Sequence, residues 1–235
     1  MHIELINNTM IIERRIFMKE RFKSIMSFYL LATQLKDKIR SGWDESHWNV
    51  SKERLESVAE HVYGTCILAL AINSEFDSDL DIAKVLKMLV LHEIGEVIIG
   101  DITPFDNVTP EEKQRIEHVA MEKVLGDLIK KEEYLSLLLE FDERKTKEAI
   151  FARHCDKLEA DIQAKVYQDS GNFPDVHVAQ EENVNFKKRV QPIVEKGAKT
   201  CFDVWYEFDK SLYTDDEVFA VLLDYVREKN TQKDF

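Results

Sequence analysis

Apolar residues recur at helical spacing along almost the whole chain, and no stretch alternates apolar with polar in the manner of a strand. Phe22, Ile25, Met26, Tyr29, Leu30 and Leu35 predict a first helix over 19–39, ended by Arg40-Ser41-Gly42-Trp43 with the glycine as its stop. A polar connector, 44–52, carries Trp48. Leu55, Val58, Val62, Cys66 and Ala69 form the stripe of a second helix over 53–76, with His61 beside it. Asp77-Ser78-Asp79 reads as a turn and a cap, and 80–99 as one long buried helix closed by Gly100-Asp101 and turned away by Thr103-Pro104. Thr109-Pro110-Glu111-Glu112 has the cap, leading proline and early acids of another helix start, running to about 130. Further helices are expected over 132–141, 146–169, 181–208 with Pro192 as a kink, and 215–229, with a break at 170–174. No repeat, low-complexity tract or domain boundary interrupts the series. The pattern predicts a single all-α domain over 19–235 behind a leader, 1–18, peripheral to function, with Met10 and Met18 as further candidate starts.

Composition supports this reading and narrows the partners. Of 235 residues 44% are apolar, enough for a core, while 7 glycines and 4 prolines leave few helix breakers. A formal net charge of −13 opposes non-specific affinity for nucleic acid or anionic membranes, so an anionic substrate needs a local positive site such as a metal or an arginine. The three cysteines, Cys66, Cys155 and Cys201, lie in apolar-rich sequence with no C-x-x-C pair, as expected of reduced core thiols in a cytoplasmic protein. No stretch reaches the ~18 uninterrupted apolar residues of a membrane-spanning helix, and the opening residues lack the apolar core of a signal peptide.

Against this background 90–101 is anomalous. His92, Glu93, Glu96 and Asp101 place four acidic or imidazole side chains in ten residues, among Leu91, Ile94, Val97, Ile98 and Ile99. Burying such groups unpaired costs several kcal/mol each, and they survive inside when paired or bound to metal. The plain alternative is a helix end whose carboxylates face water, with His92 hydrogen-bonded in the core. A zinc-protease helix, His-Glu-x-x-His, does not fit, because Glu96 stands at the second histidine position. His92 and Glu96 share a helical face, and Gly95, unfavourable inside a helix, suggests that something approaches closely. With His61 on the preceding helix and Asp156 on a later one, two imidazoles and two carboxylates from three helices offer a first shell for one divalent ion. The mixed nitrogen and oxygen set suits Mn, Fe, Co, Ni or Zn.

These blocks resemble the HD superfamily of metal-dependent phosphohydrolases, whose ligand pattern is His … His-Asp … Asp, and within it the 5′-deoxynucleotidase branch. The matching residues are Arg40-Ser41-Gly42-Trp43, Glu56 to His61, His92-Glu93 with Glu96 and Gly100 to Pro104, and Asp156-Lys157-Leu158-Glu159. Glu93 stands where the family has Asp, which lengthens that arm by one carbon–carbon bond, ~1.5 Å. The resemblance implies an HD-type helical bundle that hydrolyses nucleoside 5′-monophosphates, deoxynucleotides preferred, with one metal on His61, His92, Glu93 and Asp156. It further implies that Arg40 meets the phosphate, Trp43 walls the nucleoside, and Glu96 and Asp101 handle protons. The implied partner is a small nucleotide, with neither nucleic acid nor membrane, and a homodimer is the expected assembly. The competing readings are a catalytically degenerate HD-like module that binds a nucleotide or partner, and an HD enzyme for another phosphoester. His118 is expected in solvent and His154 off the face of Asp156, while His2, His47 and His177 have no evident role.

Overall fold

Capping residues, more than apolar periodicity, set where the helices begin and end. The computed structural model describes residues 2–76, 79–176 and 184–234, among which no strand forms and one isolated antiparallel bridge pairs Ile39 with Ser57. Helix α1 (His2–Ala32) starts well before residue 19, so the expected leader is itself helical. It also ends earlier than the apolar spacing suggests. Thr33–Asp37 tightens into a 3-10 turn, and Arg40 is extended (φ −63°, ψ 113°) before a second 3-10 turn, Ser41–Trp43. Arg40 therefore does not end a helix, and Gly42 lies within a turn rather than acting as a left-handed stop.

Helix α2 (Val58–Glu75) begins at Val58 rather than residue 53 because Ser57 and Glu60 form a reciprocal capping box. Ser57 Oγ accepts from the Glu60 N–H at 3.3 Å, and the Ser57 N–H donates to Glu60 Oε2 at 2.9 Å. The freed residues before it clamp the 38–40 segment: Val58 N–H donates to the Lys38 carbonyl (2.7 Å) and Arg40 N–H to the Glu56 carbonyl (3.0 Å). Helix α3 (Ile82–Leu91) is capped by Asp81, which accepts from Lys84 N–H, not by the 77–79 turn, of which Asp77 and Ser78 lie outside the described residues. The expected single helix 80–99 is two, α3 and a short α4 (Glu96–Ile99).

Helix α5 (Pro110–Leu125) stops at Gly126, whose φ of +51° with ψ of −121° only glycine takes readily. Helices α6 (Lys131–Glu143) and α7 (Lys147–Asp169) follow their expected spans closely. The expected helix 181–208, whose first three residues lie outside the described ones, divides into α8 (Val184–Glu195) and α9 (Cys201–Asp209). Gly197, at φ +115°, and a Thr200–Asp203 capping box make that break, and α10 (Glu217–Glu228) closes the order.

Helix α7 is the axis: it packs against α2, α3, α6, α9 and α10. Its buried face includes the small residues Ala149, Ala152, Cys155, Ala160 and Ala164, which let neighbouring backbones approach. Trp43, Trp48, Phe105, Tyr167, Phe173, Phe186 and Phe202 form an aromatic cluster that fastens the 44–52 connector to α7, α8 and α9. The three cysteines are unpaired, with Cys155 and Cys201 buried. No helix among the described residues is long and apolar enough to cross a membrane. On α1 the core-facing stripe is the partly buried Phe28, Leu31 and Ala32, continued by buried Leu35 in the 3-10 turn, whereas Phe22, Ile25, Met26, Tyr29 and Leu30 are exposed. Both sets have helical spacing, and only the packing partner distinguishes them.

Candidate metal centre

Helix α3 ends where the imidazole of His92 takes a backbone carbonyl for itself. His92 Nδ1 lies 2.7 Å from the Leu89 carbonyl, which in a continuing helix would accept from the Glu93 N–H. The chain tightens instead, with Ile94 N–H on the Leu91 carbonyl (3.1 Å) and Glu96 N–H on the Glu93 carbonyl (3.0 Å). The close neighbour implied by Gly95 is α5: a Cβ at Gly95 would stand 3.3 Å from the Glu117 carbonyl oxygen and 3.4 Å from the Ala120 methyl. Pinned through Nδ1–H, His92 turns Nε2 inward, where it is buried and has no hydrogen-bond partner.

Three further side chains meet it. His61, fully buried on α2, places Nε2 3.1 Å from Asp156 Oδ1 on α7, and Asp156 Oδ1 is 3.5 Å from His92 Nε2. Glu93 Oε1 lies 3.4 Å from His92 Nε2 and 3.8 Å from His61 Nε2. One donor atom from each of the four falls within 4.8 Å of all the others. Ligand bonds of ~2.0–2.2 Å at tetrahedral or octahedral angles put donor atoms about 2.8–3.6 Å apart. The observed spacings are close to that, and the orphaned Nε2 is the atom an ion would engage. The residues present fit a divalent metal, and the longer arm of Glu93 does not carry its carboxylate out of the cluster.

Cations and acids line the rim. Arg40 Nη1 donates to Glu93 Oε1 at 3.0 Å and lies 3.8 Å from Asp101 Oδ2, which also accepts from the Ser41 N–H at 2.9 Å. On the other side Arg153 Nη1 donates to Asp156 Oδ2 at 2.7 Å, and Lys157 Nζ stands 3.9 Å from that oxygen. Glu96 is buried with Oε2 unpartnered. Trp43 stands apart from this group. Its ring is 2% exposed, stacked on Trp205, and its Nε1 donates to Glu56 Oε2 at 2.9 Å.

The charges are arranged around the cluster. Burial opposes ionisation of Glu93, yet His92 and Arg40 hold its carboxyl well below the usual range. Burial likewise opposes Asp156, but Lys157 and Arg153 outweigh it and its carboxyl also lies well below the ordinary value. Burial and Arg40 disfavour a charged His61, and hydrogen bonds to Asp156 and Glu159 nonetheless raise its imidazole to about 9. Glu96 goes the other way: burial, then Glu93 and Asp101, push it well above the ordinary carboxyl range.

Glu159, Lys157 and Glu56 all lie in the quoted blocks, and nothing in the expected ligand pattern gives them a role. Glu159 follows Asp156 by three residues and so shares its helical face, which was a legible signal. His47 was passed over as well. It is buried, with Nδ1 2.9 Å from Asp44 Oδ1 and Nε2 3.1 Å from Thr103 Oγ1, and ties the segment after Arg40 to the loop after Asp101. His118 is exposed, and His154 pairs with Asp216 at 3.0 Å, away from the cluster. His177 lies outside the described residues.

Glu56 gives a stability test. Burial first, and the neighbouring Glu159 second, raise its carboxyl to about 7. An acid whose folded pKa exceeds its unfolded one contributes stability fully below the unfolded value, ~4.3, and loses it as pH climbs through the folded value. At about 1.4 kcal/mol per pKa unit the loss is on the order of 3 kcal/mol. Glu56→Gln keeps an acceptor for Trp43 and removes the titration. In metal-free protein the fall in Tm from about pH 5 to 8 should be smaller in Glu56→Gln by roughly 5 °C. Superimposable pH profiles of the two proteins would contradict the raised pKa.

Known proteins are similar to this chain. A family model described as HD domain matches residues 32–196. The human 5′-deoxynucleotidase HDDC2 is 34% identical over 155 residues, 65% of this chain and 72% of its own length. The 5′-deoxynucleotidase hdd1 of Schizosaccharomyces pombe is 36% identical over 155 residues, 63% of this chain and 75% of its own. Among solved structures, the PH0347 protein from Pyrococcus horikoshii OT3 matches with a TM-score of 0.56 at 25% identity, covering 87% of this chain and 99% of that one. A family model that spans most of the chain, including His61, His92, Glu93 and Asp156, and relatives above 30% identity lead to one conclusion: this chain belongs to the HD domain family.

Proposed function

We propose that the chain is a metal-dependent phosphohydrolase that releases phosphate from deoxynucleoside 5′-monophosphates, with one divalent transition metal held by His61, His92, Glu93 and Asp156. The observation that carries this reading is the convergence of three donor atoms, from His61, Glu93 and Asp156, on a buried His92 Nε2 that has no hydrogen-bond partner. The names of the relatives, 5′-deoxynucleotidases, support the substrate class. When bound, the ion supplies a Lewis acid for a phosphoryl oxygen and lowers the pKa of an attacking water. Arg40, at the rim and already aimed at Glu93, meets charge on the transferring phosphoryl group. Glu96, buried with Oε2 unpartnered and its carboxyl raised by burial, serves as the proton donor to the leaving 5′-oxygen. Asp101 holds the Ser41 N–H and lies beside the Arg40 guanidinium, which keeps that cation in place. Trp43 acts from behind, bracing Glu56, because its buried ring offers a nucleoside little surface.

A single phosphoryl group suits the charge at the rim, since Arg40 and Arg153 are both already paired with carboxylates. The unpaired thiols fit a reducing compartment such as the cytoplasm. The exposed stripe Phe22, Ile25, Tyr29 on α1 fits a second copy of the chain, to be read as a dimer by light scattering. The function is tested by phosphate release over a panel of deoxy- and ribonucleoside monophosphates. Deoxynucleotides should turn over best, chelator should abolish release, and Mn or Co should restore it. Full activity in chelator, or turnover of triphosphates or cyclic dinucleotides alone, would refute the assignment.

A further inference from the structure

We infer that Glu159 is a positioning residue of the metal centre, holding His61 with Nε2 turned inward, and that Gly64 is the space this contact requires. The inference rests on the four-residue metal reading above. His61 Nδ1 is 2.5 Å from Glu159 Oε2, while Nε2 faces Asp156. A carboxylate on one ring nitrogen fixes that nitrogen as the donor and leaves the other lone pair for an ion. His92 is held in the same sense by the Leu89 carbonyl of its own helix. His61 has no such backbone partner and depends on a side chain from α7.

Glu159 can make that contact only by lying across α2, and it does so over Gly64, three residues after His61. A Cβ at position 64 would overlap Glu159 Oε1 and stand 2.9 Å from its Cδ and 3.0 Å from its Cγ. Glycine is disfavoured in a helix interior relative to alanine, and position 64 lies well inside α2. The missing methyl and the carboxylate that fills its place form one device. Asp156 and Glu159, three residues apart on α7, thus deliver an ion-facing oxygen and the brace of an ion-facing imidazole from one helix face.

The test uses the full chain with Co(II) as the probe, its affinity read by chelator competition and its coordination by visible absorption. Glu159→Ala should weaken Co(II) binding by about 10–100-fold, the usual effect of removing such a partner. Glu159→Gln should weaken it less, because the amide oxygen still accepts from Nδ1–H. Gly64→Ala should match Glu159→Ala, since it displaces the same side chain. The double variant should bind no more weakly than Glu159→Ala alone, and its Tm should exceed that of Glu159→Ala by about 2–4 °C, the alanine now having room. If both Glu159 variants bind Co(II) as the wild type does while His92→Ala loses it, the inference fails and the metal reading stands. Multiplying losses in the double variant would overturn the role of Gly64. Wild-type protein that takes up no Co(II) would overturn the metal reading, and the inference with it.

Discussion

Glu93→Ala should lose stoichiometric metal and phosphate release together, whereas Glu93→Asp should keep both. Glu93 Oε1 stands 3.4 and 3.8 Å from the two inward imidazole nitrogens and 3.0 Å from Arg40 Nη1. Removing this carboxylate leaves Asp156 as the one anionic donor of the four, beside the cations Arg40, Arg153 and Lys157. A divalent ion would then meet one anionic donor in place of two, in a setting where charges are poorly screened. We expect metal affinity to fall by more than about 100-fold, beyond the 10–100-fold that follows loss of a merely supporting partner. Arg40, largely buried and stripped of its nearest anion, should also lower stability by ~1–3 kcal/mol, with Asp101 at 3.8 Å limiting the loss. Aspartate restores the ligand type of the family and shortens the arm by ~1.5 Å, which small shifts of the 92–95 turn can absorb. Metal content and phosphate release, measured on both variants, decide the matter. Retention of stoichiometric metal by Glu93→Ala would exclude a ligand role. Wild-type protein that is metal-free and inert, with Glu93→Asp gaining both, would favour the binding-module reading.

Arg40→Ala is expected to keep its metal and lose about 10²–10³ in kcat, the range seen when one fixed donor to a developing charge is removed. Burial opposes the charge on Arg40, but Asp101 and Glu93 outweigh it and keep the guanidinium protonated. Its position is set on three sides: the backbone N–H on the Glu56 carbonyl, the side chain on Glu93, and Asp101 anchored by the next residue's N–H. A cation held this firmly needs no reorganisation as charge builds on the phosphoryl oxygens, which is why the effect should fall on kcat more than on KM. Arg40→Lys should recover only part of the activity, since a point charge replaces a planar fork. Unchanged kcat with unchanged metal content would reduce Arg40 to a structural ion pair.

The break at His92 shows where reading along the chain stops being sufficient. Residues 80–99 have uninterrupted apolar spacing, and nothing in that spacing says that an imidazole will capture the Leu89 carbonyl. The caps are a different case. Ser57-x-x-Glu60 and Thr200-x-x-Asp203 cap helices in the structure, yet apolar residues on either side continue the periodicity across them, so the expected helices 53–76 and 181–208 run through both. Periodicity reports which residues of one helix share a face, and it is indifferent to whether the backbone is capped between them.

By itself the sequence determined the all-α class, because helical spacing with few breakers leaves no other use for so regular an apolar pattern. It also marked His92 and Glu93, because imidazoles and carboxylates in apolar surroundings demand a partner, and the resemblance to the HD pattern joined His61 and Asp156 to them. Only the tertiary structure decided which of two apolar stripes α1 buries and that Trp43 belongs to an aromatic core. It alone separated Glu96, whose carboxyl burial raises, from Asp101, held by Ser41, and brought Glu159 of α7 over Gly64 of α2. The physical reason is the same in each case. Burial, desolvation and a missing methyl are properties of how helices approach one another, and residues 95 positions apart acquire a shared chemistry only when that approach places them in contact.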